Sequence, residues 1–145
     1  RAETQGVNLV VFPECGLTGY TCHDLFHLQS LQRAAEEALA KVVEKGAAVY
    51  RGVAVVGLPL AIEGQLFNCA AVIHAGKVLG IVPKSYLPNY KEFYDARYFC
   101  PASSANFSPH THHRPQPSSA TCLRSDSQNC AVSLAGLGSI RITTS

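Results

Sequence analysis

The sequence predicts an α/β fold, in which helices cover a sheet of buried strands. Four near-continuous apolar runs, at residues 7–12, 53–60, 66–74 and 77–83, have the pattern of strands that are buried on both faces. Residues 30–46 instead repeat their apolar positions with the period of a helix. Because this helix lies between the first two strands, the order of elements favours an α/β domain over an all-helical or all-strand one.

Local signals mark where the elements begin and end. The opening letters RAETQG have the pattern of a last helical turn closed by Gly6. Because the chain opens on Arg1 inside this turn, we expect its true start to be missing. Ser30 is a candidate N-cap for the longer helix and Gly46 its expected end. Ala75-Gly76 is expected to form a tight turn between the last two strands. One face of the helix carries Leu31, Ala35, Ala38, Leu39, Val42 and Val43.

Composition bounds the class of protein. With 145 residues, 47% of them hydrophobic, the chain can form the core of one domain. A net charge of +2 is too small to favour a nucleic-acid partner. No apolar run reaches the roughly 18 residues of a membrane span, and no signal peptide is visible. The six cysteines show no Cys-x-x-Cys spacing. We therefore expect a cytoplasmic protein with reduced thiols and no membrane partner.

The character of the chain changes after residue 100. Residues 101–145 contain ten serines, four prolines and a single acidic residue, with little periodicity. Two interpretations remain open for this irregular tail, a disordered segment or an out-of-frame translation. We therefore divide the chain into a domain at 1–100 and a tail at 101–145. Three histidines in the tail could bind a metal in principle, but without an ordered scaffold no metal site is expected: His110, His112 and His113.

Two strand ends carry an ionisable residue directly after a proline. Glu14 follows Pro13 after the first strand, and Lys84 follows Pro83 after the last clear strand. In sheets covered by helices, functional groups gather at strand ends, and proline fixes the backbone there. The carboxylate and the ammonium group could therefore face each other and support proton transfer. The alternative is that both are solvated loop charges. Cys15 is a candidate nucleophile by type, but strand alternation predicts that it faces away from Glu14.

Three stretches carry a family resemblance that runs through nearly all of residues 1–100. They read GVNLVVFPECGLTGYTCHDLF, VAVVGLPL and LFNCAAVIHAGKVLGIVPKSYLPNYKEFYDARYF. These stretches resemble the nitrilase superfamily of carbon–nitrogen hydrolases. Within it they resemble the glutaminase domain of bacterial glutamine-dependent NAD synthetases, to which the PKSYLPNY segment is specific. The resemblance implies an α-β-β-α sandwich, of which this chain is a part, with a Glu-Lys-Cys triad.

The resemblance also implies roles for individual residues. Glu14 matches the general base, and Lys84 matches the cation that stabilises the oxyanion of the tetrahedral intermediate. Tyr20, Tyr90 and Phe93 match the wall of the glutamine pocket. The glutaminase domain needs no cofactor in this family. Its ammonia passes to a synthetase domain, absent from this chain, which uses ATP and Mg to amidate nicotinic acid adenine dinucleotide. The family is homo-oligomeric.

The sequence departs from the family at the third member of the triad. The family's cysteine lies in a Cys-Glu-Asp motif, and its spacing from Lys84 leads to LAGLGSIRITT at 134–144, which has no cysteine. Cys122 and Cys130 are nearest, but neither precedes Glu-Asp. Two alternatives therefore stay open beside the glutaminase reading. One is a nitrilase-type hydrolase of another small amide, and the other is a catalytically inactive fragment.

Overall fold

A single sheet of seven strands forms the centre of the chain, as seen in a computed structural model. The structure describes residues 1–105, and the backbone of 121–125, 129–134 and 138–143. The strands are β1 (Leu9–Val11), β2 (Val53–Ile62), β3 (Gln65–His74), β4 (Lys77–Pro83), β5 (Thr121–Ser125), β6 (Asn129–Leu134) and β7 (Gly138–Thr143). The helices are α1 (Gln29–Val49) and the short α2 (Asp95–Tyr98), with 3₁₀ turns at Glu3–Gln5, His23–His27 and Ala102–Ser104. The predicted α/β class is confirmed.

The strands lie in the order β1-β2-β3-β4-β7-β6-β5. The pairs β1–β2 and β4–β7 are parallel, and the other neighbours are antiparallel. Helix α1 connects the parallel strands β1 and β2, as a crossover between parallel neighbours requires. The described residues thus form one sheet with helices, which is part of the α-β-β-α sandwich implied by the resemblance.

The meander β2–β4 holds most of the core. Its buried apolar residues pack with Leu39 and Val43 of α1, which lie on the predicted apolar face of that helix. Two tight turns join the three strands, and both have consecutive residues in the left-handed region, at Glu63-Gly64 and at Ala75-Gly76. This backbone matches the right-handed twist of the paired strands. The predicted turn at Ala75-Gly76 is therefore confirmed.

Several local expectations are wrong in detail. Strand β1 lies at the edge of the described sheet, so Leu9 and Val11 are 56% and 65% exposed rather than buried on both faces. Helix α1 begins at Gln29 without a side-chain cap, and it continues through Gly46 to Val49. Propensity at helix ends is a weak signal, and packing against β2 outweighs it here. The predicted turn before Gly6 is a single 3₁₀ turn rather than an α-helical one, but Gly6 closes it in the left-handed region as predicted.

The segment after residue 105 contains strands that its composition does not predict. The strands β5–β7 extend the sheet beyond β4, with Ile81 paired to Ile142. Short segments such as SIRIT alternate apolar and polar residues. Such a segment can pair with the free edge of β4 even though the surrounding sequence has little hydrophobic periodicity. The division of the chain at residue 100 stays a prediction. The histidines at 110, 112 and 113 lie outside the described residues.

Candidate active site

The sheet topology explains why Glu14 and Lys84 meet. Strands β1 and β4 run in the same direction, because β1 is parallel to β2 and two antiparallel pairings lead from β2 to β4. Their carboxyl ends therefore lie at one edge of the sheet. Lys84 directly follows the last residue of β4, and only Phe12 and Pro13 separate the end of β1 from Glu14. Each charged residue thus follows a proline near the end of its strand, and the strand order brings the two ends to the same edge of the sheet.

An ion pair joins these two side chains. Lys84 Nζ lies 2.8 Å from Glu14 Oε1, and 2.7 Å from Oδ2 of a second carboxylate, Asp95. The lysine side chain is 28% exposed. One ammonium group is therefore held between two carboxylates, which fixes its position more tightly than a single partner would.

Asp95 is a residue that the sequence pattern does not single out. It begins α2 and is only 2% exposed. Its Oδ1 accepts a hydrogen bond from the Tyr20 hydroxyl at 2.7 Å, while its Oδ2 binds Lys84. Nothing in the local sequence separates it from the nearby Glu92, because its burial depends on the packing of α2. Asp95 thus links Tyr20, one of the predicted pocket residues, to the ion pair.

Asn68 of β3 is a second contributor that the sequence pattern does not reveal. Its Nδ2 donates a hydrogen bond to Glu14 Oε1. Its Oδ1 accepts a hydrogen bond from the Cys15 thiol, with the sulfur at 3.6 Å. Its backbone oxygen accepts the Lys84 N–H at 2.8 Å. One buried residue therefore contacts both members of the predicted pair.

The loop that carries Glu14 crosses closely over β2 at Gly57. A Cβ at Gly57 would lie 2.6 Å from Cys15 N and 2.7 Å from Pro13 O. The Leu17 N–H donates to the Gly57 oxygen at 3.1 Å, so the loop is anchored at this residue. Only a residue without a side chain permits this approach.

Cys15 does not face away from the site, so the expectation from strand alternation is wrong. Strand β1 ends at Val11, and Cys15 has a φ of 50°, so the alternation of an extended strand no longer applies. The side chain is fully buried and contacts Asn68. Burial, followed by the negative charge of Glu14, raises the pKa of the Cys15 thiol to about 12. The thiol is therefore neutral near pH 7, and a neutral thiol is a poor nucleophile.

Of the three predicted pocket residues, one is hydrogen-bonded to the cluster and two are not. Tyr20 is part of the cluster through Asp95. Tyr90 and Phe93 pack edge to face, with ring centroids 5.8 Å apart, and neither hydrogen-bonds to the cluster. An open pocket of about 80 Å³ lies beside Asp95. It is lined by Tyr20, Thr21, His23, Phe26, Glu92, Tyr94, Asp95, Tyr98 and Phe99.

Lys84 and Tyr20, like Cys15, have shifted pKa values. Burial disfavours the charged form of Lys84, but hydrogen bonds to Asp95 and Glu14 outweigh it, so the Lys84 pKa is raised. Burial, then the hydrogen bond to Asp95, raises the Tyr20 pKa. In both cases the folded state binds the proton more tightly than the unfolded state does.

These shifts predict how stability changes with pH. A group whose pKa is raised on folding contributes stability that is complete below its unfolded pKa, and this stability is lost as the pH rises through the folded value. The ordinary values are 10.5 for Lys84 and 10.0 for Tyr20. We therefore expect the free energy of unfolding to fall more steeply above pH 10 in the wild type than in Lys84→Met or Tyr20→Phe. Urea denaturation over an alkaline pH series measures these slopes, and equal slopes in all three proteins would contradict the assignment.

The part of the chain that the structure describes contains neither a membrane-spanning helix nor a cluster of metal-binding side chains. Within residues 1–105 and the strands that follow, no helix has the length and apolar content to cross a bilayer. In the same part of the chain, no three His, Cys, Asp or Glu side chains are grouped to hold a metal ion. The backbones of Cys122 and Cys130 lie in β5 and β6.

Comparison with known proteins places the chain in a family. The family model for carbon-nitrogen hydrolases matches residues 1–133. The glutamine-dependent NAD(+) synthetase of Mycobacterium tuberculosis (strain H37Rv) is 48% identical over 96 residues, which cover 66% of this chain and 14% of that protein. The chain thus spans about a seventh of the length of this relative.

Two solved structures are similar to the chain. The glutamine-dependent NAD(+) synthetase from Cytophaga hutchinsonii aligns with a TM-score of 0.69, covering 97% of this chain and 20% of that one; at 23% identity it shows the fold alone. The enzyme of the same name from Acinetobacter baumannii, in complex with ADP, aligns with a TM-score of 0.56 at 36% identity, covering 69% of this chain and 18% of that one. The chain belongs to the carbon–nitrogen hydrolase family and is similar to part of the glutamine-dependent NAD(+) synthetases.

Proposed function

We propose that this chain is part of a glutamine amidohydrolase domain that supplies ammonia to an NAD synthetase. One observation carries the proposal: Lys84 Nζ lies 2.8 Å from Glu14 Oε1, at the sheet edge where β1 and β4 end. A carboxylate can act as a general base and an ammonium group can stabilise an oxyanion, and these are two of the three roles in hydrolysis of an amide by a thiol. The similarity to proteins named glutamine-dependent NAD(+) synthetase supports glutamine as the substrate.

In this proposal Glu14 is the general base and Lys84 stabilises the oxyanion. Glu14 takes the proton of a thiol nucleophile as its sulfur attacks the side-chain amide carbon of glutamine. Lys84 is held in place by Asp95, so its charge is fixed before negative charge develops on the amide oxygen. Ammonia then leaves with a proton, and water hydrolyses the thioester. Tyr20, Tyr90 and Phe93 are proposed to form the wall of the glutamine pocket.

The nucleophile is the open part of the proposal. Cys15 is excluded because it is buried and its raised pKa keeps it neutral. None of the cysteines among residues 1–105 hydrogen-bonds to Glu14 or Lys84. The sequence contains no Cys-Glu-Asp segment. These observations support the alternative in which this chain alone is a catalytically inactive fragment.

The partners follow from the same proposal. Ammonia from glutamine would serve a synthetase domain that amidates nicotinic acid adenine dinucleotide with ATP and Mg. The ADP bound in the Acinetobacter baumannii structure supports a nucleotide requirement in that larger protein. The glutaminase domain itself needs no cofactor in this scheme. We also propose a cytoplasmic homo-oligomer.

Hydrolysis assays on the purified chain test the proposal. Glutamate release from glutamine is compared with ammonia release from acetamide, for the wild type, Glu14→Gln and Lys84→Ala. If the proposal is correct, glutamine is preferred and each variant loses about 100-fold or more in kcat/KM. Glu37→Gln, at an exposed position of α1, is the matched control and keeps full activity.

The other outcomes decide between the alternatives. Preference for acetamide, lost in the same variants, would favour a hydrolase of another small amide. Saturable glutamine binding without turnover in the wild type would favour the inactive fragment. Turnover that survives Glu14→Gln would contradict the proposed role of Glu14.

A further inference from the structure

The contacts of Glu14 distinguish its two carboxylate oxygens. Oε1 accepts hydrogen bonds from Lys84 Nζ and from Asn68 Nδ2. Among the described residues, Oε2 accepts none. The Glu14 side chain is partly open to solvent, whereas Asn68 is buried. Oε2 is therefore the oxygen that remains available to a reacting group.

We propose that Asn68 is a positioning residue, which holds Glu14 by Oε1 so that Oε2 accepts the proton in amide hydrolysis, and that the Cys15 thiol orients the Asn68 amide. This inference rests on the proposed function for its chemistry. The step is a proton transfer, in which the S–H bond of a thiol nucleophile breaks and an O–H bond forms at Oε2. The same proton later passes to the nitrogen of the leaving ammonia.

The orientation of the Asn68 amide is the second part of the inference. The Asn68 carboxamide can donate a hydrogen bond to Glu14 only from its nitrogen, because the amide oxygen is an acceptor. The Cys15 thiol is a donor, and it lies on the Oδ1 side of the amide at 3.6 Å. A flipped amide would place two acceptors together at Glu14, and the Cys15 S–H would lose its acceptor, because an amide nitrogen accepts no hydrogen bond. The buried thiol thus favours the rotamer in which Nδ2 points to Glu14.

The backbone adds a second constraint on the same residue. The Asn68 oxygen accepts the Lys84 N–H at 2.8 Å, so Asn68 and Lys84 cannot shift independently along their strands. On the other side, Gly57 admits the Glu14 loop to within contact of β2. Asn68 is held by strand β3 rather than by a loop, which suits a residue that must position another within a fraction of an ångström.

Two substitutions of Asn68 test the positioning role in the hydrolysis assay. Asn68→Leu has a similar volume but no donor, and Asn68→Asp keeps the shape but places a carboxylate against Glu14. We expect kcat to fall about 10- to 100-fold in both, because the base is displaced, while KM changes less than about twofold. Asn8→Ala, at an exposed residue before β1, is the control that keeps wild-type kinetics.

A spectroscopic measurement tests the contact without any turnover. In ¹H–¹⁵N spectra of the labelled chain, the Asn68 side-chain amide resonance is expected to shift in Glu14→Gln, because the carboxylate that accepts its N–H is replaced by a neutral amide. Glu37→Gln, at an exposed position of α1, should leave the resonance unchanged. Cys15→Ser keeps a donor and should leave the Asn68 resonance close to its wild-type position, whereas Cys15→Ala should move it. The serine and alanine variants also test the inference if the Asn68 variants do not fold.

The outcomes separate this inference from the proposed function. An Asn68 amide resonance that does not move in Glu14→Gln, or that moves equally in Glu37→Gln, overturns the inference whatever the activity. A resonance that moves in Glu14→Gln, together with wild-type kcat in Asn68→Leu, also overturns it, because the contact would then have no effect on the base. If the wild type hydrolyses no amide, the proposed function fails. The contact between Asn68 and Glu14 is then supported or overturned by the spectra alone.

Discussion

Replacing Gly57 by alanine is expected to destabilise the fold by about 2–3 kcal/mol, the upper part of the range for overpacking a buried position. The added Cβ would lie 2.6 Å from Cys15 N and 2.7 Å from Pro13 O, and both are backbone atoms. A flexible side chain can rotate away from such a contact, but backbone cannot. The Glu14 loop would have to lift from β2, which would also separate Glu14 from Asn68. The free energy of unfolding in urea measures the first effect, and the Asn68 amide resonance reports the second.

Gly46→Ala is the matched control for this prediction. Gly46 lies inside α1, and a Cβ there would meet no atom within 4 Å. Glycine in a helix interior costs about 0.5–1 kcal/mol relative to alanine, so this variant should be more stable than the wild type. The two substitutions are chemically identical and should have opposite signs. Equal effects would show that the close crossing at Gly57 does not limit the fold.

Lys84→Met is expected to destabilise the chain by about 3 kcal/mol, the lower part of the range for removing one partner of a buried ion pair. Methionine keeps most of the side-chain volume, so the loss comes from the charge. Asp95, whose side chain is only 3% exposed, would be left with the Tyr20 hydroxyl as its remaining side-chain partner among the described residues. An uncompensated buried carboxylate is costly. Urea denaturation near pH 7 measures the change.

A second ion pair in the same region provides the comparison. Arg97 and Asp24 also form a close pair, but their side chains are 61% and 68% exposed. Solvent screens such a pair, so Arg97→Ala should cost less than about 1 kcal/mol. The double variant Lys84→Met/Asp95→Leu should be less destabilised than the sum of its single variants, because both charges are removed together. Additive effects would mean that the two side chains do not interact in solution.

Two residues of the candidate site, Glu14 and Lys84, can be predicted from the local sequence pattern. Glu14 and Lys84 each follow a proline at the end of an apolar run, so their position at strand ends could be predicted from neighbouring residues alone. That the two ends share one sheet edge depends on the strand order, which local pattern does not contain. The two side chains do meet, because β1 is parallel to β2 and the two antiparallel pairings from β2 to β4 restore the direction of β1.

The residues that sequence reasoning missed are defined by tertiary contacts. Asn68 reads as one polar residue inside an apolar strand, and only the fold shows that it faces Glu14. Asp95 lies close to two other charged residues, Lys91 and Glu92, and its burial depends on the packing of α2. The orientation of Cys15 was predicted wrongly because the strand ends earlier than its apolar run does. The hydrophobic pattern of a sequence does not show where an extended strand gives way to a turn with a positive φ, as it does before Cys15.

The pairing of β1 with β2 has a consequence for the order in which the chain folds. Strands β2, β3 and β4 are joined by two-residue turns, so their contacts are local, whereas Leu9 must find Val53 across the whole of α1. Contacts between distant residues form later, because closing the long loop costs entropy before any pairing repays it. Lys84 and Asn68 belong to the early meander, and Glu14 belongs to the late segment. We therefore expect the base to join its partners late in folding, so that a partly folded chain would carry Lys84 without Glu14.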